Sequence, residues 1–136
     1  MSPIASPYSF YNSSSVFLGN IDEKIFDLYL DKIDLLLMTI TDNGGGGQPV
    51  SLENYKNLAE KSHKLGKLVW VDGCRIFENA VFIKAFEKGY ESHTLVDIVK
   101  EFMIYADLVT LSFKKMYSHS GGAILVNKQS KILNDE

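Results

Sequence analysis

The stretch Leu108-Val-Thr-Leu-Ser-Phe-Lys-Lys115 sets a short, largely apolar run against a serine and two lysines. Such a run, lacking polar alternation, suits a strand covered on both faces, as in parallel sheets with helices packed against them. In those sheets ligands bind just beyond the carboxyl ends of the strands. Ser112, Lys114 and Lys115 therefore stand where chemistry is done rather than where packing is done. The rest of the chain has to bring partners to the same edge.

Working upstream, Thr94-x-x-Asp97 reads as a capping box for a helix to about Tyr105, and residues 76–88 carry apolar pairs at helical spacing. Leu68-Val-Trp-Val71 reads as a buried strand ending at Asp72-Gly-Cys-Arg75. Before it, Ser51 caps a helix of roughly residues 52–65 that Gly66 stops. Leu35 to Ile40 reads as another strand buried on both faces. It runs into Thr41-Asp-Asn-Gly-Gly-Gly-Gly-Gln-Pro49, a loop by its glycines and proline. Asn20 or Asp22 caps a first helix to about Ile33, whose apolar residues, Leu28 and Tyr29 among them, predict a broad buried face. Downstream, Gly121-Gly122 precedes Ala123-Ile-Leu-Val126, a short return strand. Helical crossovers between strands imply parallel neighbours. The connection over residues 113–121 is too short for one, so the last strand is expected to be antiparallel. The expected fold is α/β, a three-layer α/β/α arrangement around a mixed, mostly parallel sheet.

Composition bounds the function. The chain has 136 residues, 46% hydrophobic and 23% charged, which fits one globular domain. A net charge of -3 without a Lys/Arg-rich run argues against nucleic-acid binding. No apolar stretch approaches the ~20 residues of a membrane span, and residues 1–10 have no signal-peptide pattern. A single cysteine, Cys74, excludes an internal disulfide and fits a reducing compartment, so a cytoplasmic location is expected. Asn12-Ser-Ser14 matches a glycosylation sequon that, without a secretory signal, is read as chance. Residues 1–16 read as an irregular lead-in and 129–136 as a tail.

If the three buried strands are parallel, one edge receives Asn43, then Asp72 with Arg75, then Ser112 with Lys114 and Lys115. Taken singly, each has an ordinary explanation: a turn-forming Asn, a helix-capping Asp, solvated lysines. Together they match what pyridoxal phosphate needs, namely a lysine for covalent attachment, an anion beside the ring nitrogen, donors at the phenolic oxygen and phosphate ligands. Other chemistries fit less well. Gly44 to Gly47 lack the lysine of a phosphate-binding loop. His63, His93 and His119 are scattered and Cys74 stands alone, so no metal site is expected and no base is identified for a cysteine nucleophile.

The chain resembles the central part of the beta-eliminating lyases, the tryptophanase and tyrosine phenol-lyase type of the aspartate-aminotransferase fold. The matching pieces are Thr39-Ile-Thr-Asp-Asn43 leading to Gly46-Gly-Gln-Pro-Val-Ser51, Val71-Asp-Gly-Cys-Arg75, Glu78-Asn-Ala80 with Phe82-Ile-Lys84, Tyr105-Ala-Asp107, Leu111-Ser-Phe-Lys-Lys115 and Gly121-Gly122. Phe17-x-Gly-Asn20 precedes them, so the likeness covers residues 17 to 128. The resemblance implies that residues 17–128 form a partial cofactor-binding large domain of the fold type I pyridoxal-phosphate enzymes. It implies that Lys115 forms the covalent aldimine with pyridoxal 5'-phosphate and takes the substrate's alpha proton. It also implies that Asp72 holds the ring nitrogen, that Asn43 and Arg75 contact the phenolic oxygen, and that Ser112 binds a phosphate oxygen. Lys114 would support Lys115. The implied reaction is alpha,beta-elimination of tryptophan or tyrosine to indole or phenol, pyruvate and ammonia. The implied partners are a small amino-acid substrate and, since the family is homo-oligomeric, further copies.

Asp-Gly-x-Arg with a later Ser-x-x-Lys is also similar to threonine aldolases, which lack the two longer motifs. Met116 stands where the family has an acidic residue, and the loop to Gly121 is one residue shorter; that loop helps build the family's monovalent-cation site, so potassium is the least secure of the implied ligands. The family's members are much longer, and the expectation is a truncated member, inactive alone, or a non-catalytic interaction module.

Overall fold

The computed structural model describes residues 16–116, 119–127 and 129–133. The expected lead-in up to residue 15, with its sequon, and the last residues of the expected tail lie outside these. Helix α1 (Glu23–Tyr29) begins at Asp22, whose side chain accepts hydrogen bonds from the Lys24 and Ile25 amides. Strand β1 (Leu35–Thr39) follows, then α2 (Leu52–Lys64), β2 (Leu68–Asp72), α3 (Ile76–Phe86), α4 (Leu95–Tyr105), β3 (Leu108–Ser112) and β4 (Gly122–Val126).

The four strands form one sheet in the order β1-β2-β3-β4. β1, β2 and β3 are parallel, and β4 returns antiparallel to β3, with Ser112 opposite Gly122. The short 113–121 connection leads to this reversal, as the sequence predicts. The mixed sheet and flanking helices make the chain α/β.

Local signals account for most boundaries. Ser51 Oγ accepts from the Asn54 amide at the start of α2. The helix stops where Gly66 takes φ +70, with the Gly66 amide bonded to His63 O and the Lys67 amide to Ser62 O. That paired closure needs a left-handed residue, which only glycine adopts freely. Thr94 and Asp97 form the expected capping contacts at α4.

Packing departs from the sequence expectation at two places. α1 ends at Tyr29 and a 3-10 turn, Leu30–Lys32, finishes the segment. Phe26 and Leu30 point into the core, while Leu28 is 71% exposed and Tyr29 46%, so the buried face is narrow. The cause is position: α1 packs against α2, at the rim of the core. In the sheet, Leu36, Met38, Val69, Val71 and Val109 share one face and are buried, where α2 and α4 lie against the strands. On the other face Leu37 is 47% exposed, so β1 is not covered on both sides as its sequence predicts. Among the described residues β1 is also an edge strand, and nothing lies across Leu37.

The ends of β2 and β3 that carry no ligand chemistry are tied by Asp107. Its carboxylate accepts from the Val69 amide at 2.9 Å and pairs with His63 Nε2 at 3.0 Å. Burial raises its pKa, but hydrogen bonds from Ser130, the Val69 amide and His63 outweigh burial and hold the carboxyl below the usual range. A carboxyl whose folded pKa is depressed stabilises the fold above the ordinary carboxylate value near 4, and that contribution fades as pH falls through the lower folded value. Asp107→Asn is therefore expected to cost about 1–3 kcal/mol at neutral pH. Chemical denaturation at two pH values checks this, because the cost should shrink toward zero in strong acid.

Candidate functional site

The carboxyl ends of β1, β2 and β3 lie side by side, with Thr39 opposite Asp72 and Asp72 opposite Thr110. Backbone bonds extend the ladder beyond the strands. The Ile40 amide bonds to Asp72 O, the Gly73 amide to Thr110 O and the Arg75 amide to Ile40 O, each at 2.8 Å. Residues 40 to 43, 72 to 75 and 110 to 115 are thus held at one edge by main-chain geometry before any side chain contributes.

The glycine loop after β1 is closed by its own backbone. Asp42 O accepts from the Gly47 amide at 2.7 Å and the Gln48 amide at 3.1 Å. Gly47 has φ +82, and a Cβ there would lie 3.5 Å from Arg75 Nη1. A side chain at this position would be strained by the left-handed backbone, though its Cβ would meet the guanidinium at ordinary contact distance. This closure presents Asn43 toward β2.

Asn43 and Arg75 meet. Arg75 Nη1 donates to Asn43 Oδ1 at 2.8 Å, and Asn43 Nδ2 donates to Cys74 Sγ at 3.0 Å. Thr41 is buried, and its hydroxyl has no hydrogen-bond partner among the described residues. The Asp72 side chain, half-buried at the end of β2, makes no hydrogen bond or ion pair there either. A guanidinium with spare donors, an unpaired carboxylate and an orphaned hydroxyl at one edge are a set that an anionic, nitrogen-containing ligand would satisfy.

Ser112 is half-buried at the end of β3, on the same edge. Lys114 and Lys115 are exposed on a 3-10 turn, Phe113–Met116, rather than on extended chain. At about three residues per turn, adjacent side chains there diverge by roughly a third of a circle. The predicted residues are therefore of two kinds. Asn43 and Arg75 touch each other, while Asp72, Ser112 and the lysines share their edge without contacting them. Thr41 and Cys74 belong to the cluster; both fall within the motifs of the resemblance, but the sequence assigns neither a role at this edge.

A cavity of about 300 Å³ opens at the opposite edge of the sheet, lined by His63, Lys67, Asp107, Asn127 and Ser130 among others. Its carboxylate is already bonded to protein groups, as described above, so it is a stabilising network rather than a ligand site. Among the described residues no three His, Cys, Asp or Glu converge as metal ligands. No helix among them is long and apolar enough to cross a membrane.

A family model described as "Beta-eliminating lyase" matches residues 13–134. The tryptophanase of Rhodobacter capsulatus is 40% identical over 116 residues, covering 82% of this chain and 26% of its own length. The tyrosine phenol-lyase of Lacrimispora saccharolytica is 41% identical over 117 residues, 82% of this chain and 25% of its own. A probable beta-eliminating lyase of Trichomonas vaginalis is 44% identical over 103 residues. The chain spans about a quarter of the length of the curated relatives it matches.

Proposed function

The chain belongs to the beta-eliminating lyase family, and from that membership we infer that the edge formed by Asn43, Asp72, Arg75, Ser112 and Lys115 is the cofactor side of a carbon–carbon lyase acting on tryptophan or tyrosine. The family implies pyridoxal phosphate, and the donor set fits it. The observation that carries the reading is the Asn43–Arg75 contact on the same sheet edge as an Asp72 carboxylate that has no hydrogen bond or ion pair among the described residues.

Each residue then has a task set by its chemistry. Asp72 carries the negative charge that favours a protonated ring nitrogen a few ångströms away. Arg75 and the second amide proton of Asn43 are donors for the ring oxygen. Ser112 offers a hydroxyl to a phosphate oxygen. Lys115 would hold the cofactor through its amine, and its Nζ would be the group that takes the substrate's alpha proton. When bound, the cofactor supplies an electron sink for the carbanion left by that proton. Arg75, which would meet the ring oxygen together with Asn43, is the second residue we assign to catalysis.

The quarter-length match favours a second reading, in which the chain binds cofactor and does not turn substrate over alone. Titrating pyridoxal phosphate into the purified chain tests the first step. Visible absorbance distinct from free cofactor, and lost in Asp72→Ala, is expected, and its absence from the parent chain would overturn the cofactor reading. Pyruvate release from tryptophan or tyrosine then separates turnover from binding.

A further inference from the structure

Cys74 is buried, and its hydrogen bonds do more than fill space. Asn43 Nδ2 donates to Cys74 Sγ at 3.0 Å, and the Cys74 thiol reaches Ile40 O at 3.8 Å. Ile40 O also accepts the Arg75 amide at 2.8 Å, and Arg75 Nη1 donates to Asn43 Oδ1 at 2.8 Å. These bonds close a ring: guanidinium to amide, amide to thiol, thiol to the Ile40 carbonyl just past β1, and that carbonyl back to the Arg75 main chain. Asn43 itself is exposed at the tip of a loop followed by four glycines. A residue so placed gains little order from its backbone, since glycines leave the chain free to take many conformations. Its amide is fixed instead by being held at both ends.

We propose that Cys74 is a positioning residue for the cofactor's ring oxygen, acting through Asn43. This rests on the cofactor reading above. With Sγ accepting one amide proton and Arg75 occupying Oδ1, the remaining Nδ2 proton is the one left to donate. Arg75 alone holds Asn43 by one bond, about which the amide pivots. The thiol supplies the second point and aims the free proton. A serine hydroxyl both accepts and donates in the same way, whereas an alanine methyl does neither.

The experiment compares the parent chain with Cys74→Ala and Cys74→Ser, each checked for folding by circular dichroism. Pyridoxal phosphate affinity is read by absorbance, and the Asn43 side-chain amide is read by 15N NMR without cofactor. Loss of one neutral hydrogen bond predicts about fivefold weaker cofactor binding in Cys74→Ala and a displaced Asn43 amide resonance, with both restored in Cys74→Ser. Equal affinity in all three proteins, or an unmoved Asn43 amide in Cys74→Ala, overturns the proposal. A parent chain that binds no cofactor overturns the reading beneath it, while the NMR comparison still decides whether the thiol orders Asn43. Weakened binding in both variants also overturns it, since that pattern marks packing rather than hydrogen bonding.

Discussion

Asn79→Ala is expected to destabilise the fold by about 2–6 kcal/mol, read as a fall in the denaturant midpoint with an unchanged slope. Asn79 is fully buried in α3. Its Oδ1 accepts the Val50 amide and its Nδ2 donates to Val50 O, both at 2.8 Å. Alanine leaves the Val50 amide and the Val50 carbonyl buried without this partner, and each unmet group costs about 1–3 kcal/mol. The effect reaches beyond stability. Val50 lies between the glycine loop and the Ser51 cap of α2, and the Gly19 amide bonds to neighbouring Pro49 O at 2.9 Å. Loosening Val50 releases the returning arm of the loop that carries Asn43. Cofactor affinity should therefore fall along with stability. Asn79→Asp is no milder, since it keeps the acceptor, loses the donor and buries a carboxylate. A loss below about 1 kcal/mol in Asn79→Ala would contradict this account.

The pair Asn79–Val50 also shows where sequence reading stops. Glu78-Asn-Ala80 is visible as a motif, yet the job of its asparagine depends on a peptide 29 residues earlier in the chain. What the sequence does convey is local. Ser51, Gly66 and Thr94 each act on backbone groups within a few residues, so the helix limits they set are legible. The reversal at β4 is legible too, because chain length alone forbids a crossover. Burial of the second sheet face is a property of whatever lies across it, and so the apolar run Leu35 to Ile40 reads alike whether or not Leu37 is covered. The site follows the same division. Strand ends bring Asn43, Asp72, Arg75 and Ser112 to one edge by topology, which the pattern of strands and helices encodes. The ring through Cys74 needs the fold of the glycine loop, and residue spacing does not encode that.

Lys115→Ala is expected to abolish covalent attachment of pyridoxal phosphate, while Lys114→Ala retains it. The lysines are adjacent and exposed, and composition cannot separate them. Geometry can. They lie on a 3-10 turn that starts directly after Ser112, and their side chains diverge by roughly a third of a circle. Two amines so arranged point in different directions relative to a ligand at the Asp72, Asn43 and Arg75 edge, which favours one of them for a single carbon. Attachment should therefore be exclusive to one of them. The resemblance of Leu111-Ser-Phe-Lys-Lys115 to the family motif is the ground for expecting it at Lys115. Borohydride reduction of the cofactor-loaded chain followed by peptide mass spectrometry reads the outcome. Labelled Lys115 in the parent chain and in Lys114→Ala, with no label in Lys115→Ala, is the expected set. A label that moves to Lys114 when Lys115 is removed would show that the turn holds neither amine in place. Reversible binding by Asp72, Arg75 and Asn43 should survive in Lys115→Ala, because those residues sit on a scaffold of strand ends that the lysine does not support. That residual affinity separates a lost covalent bond from a lost fold.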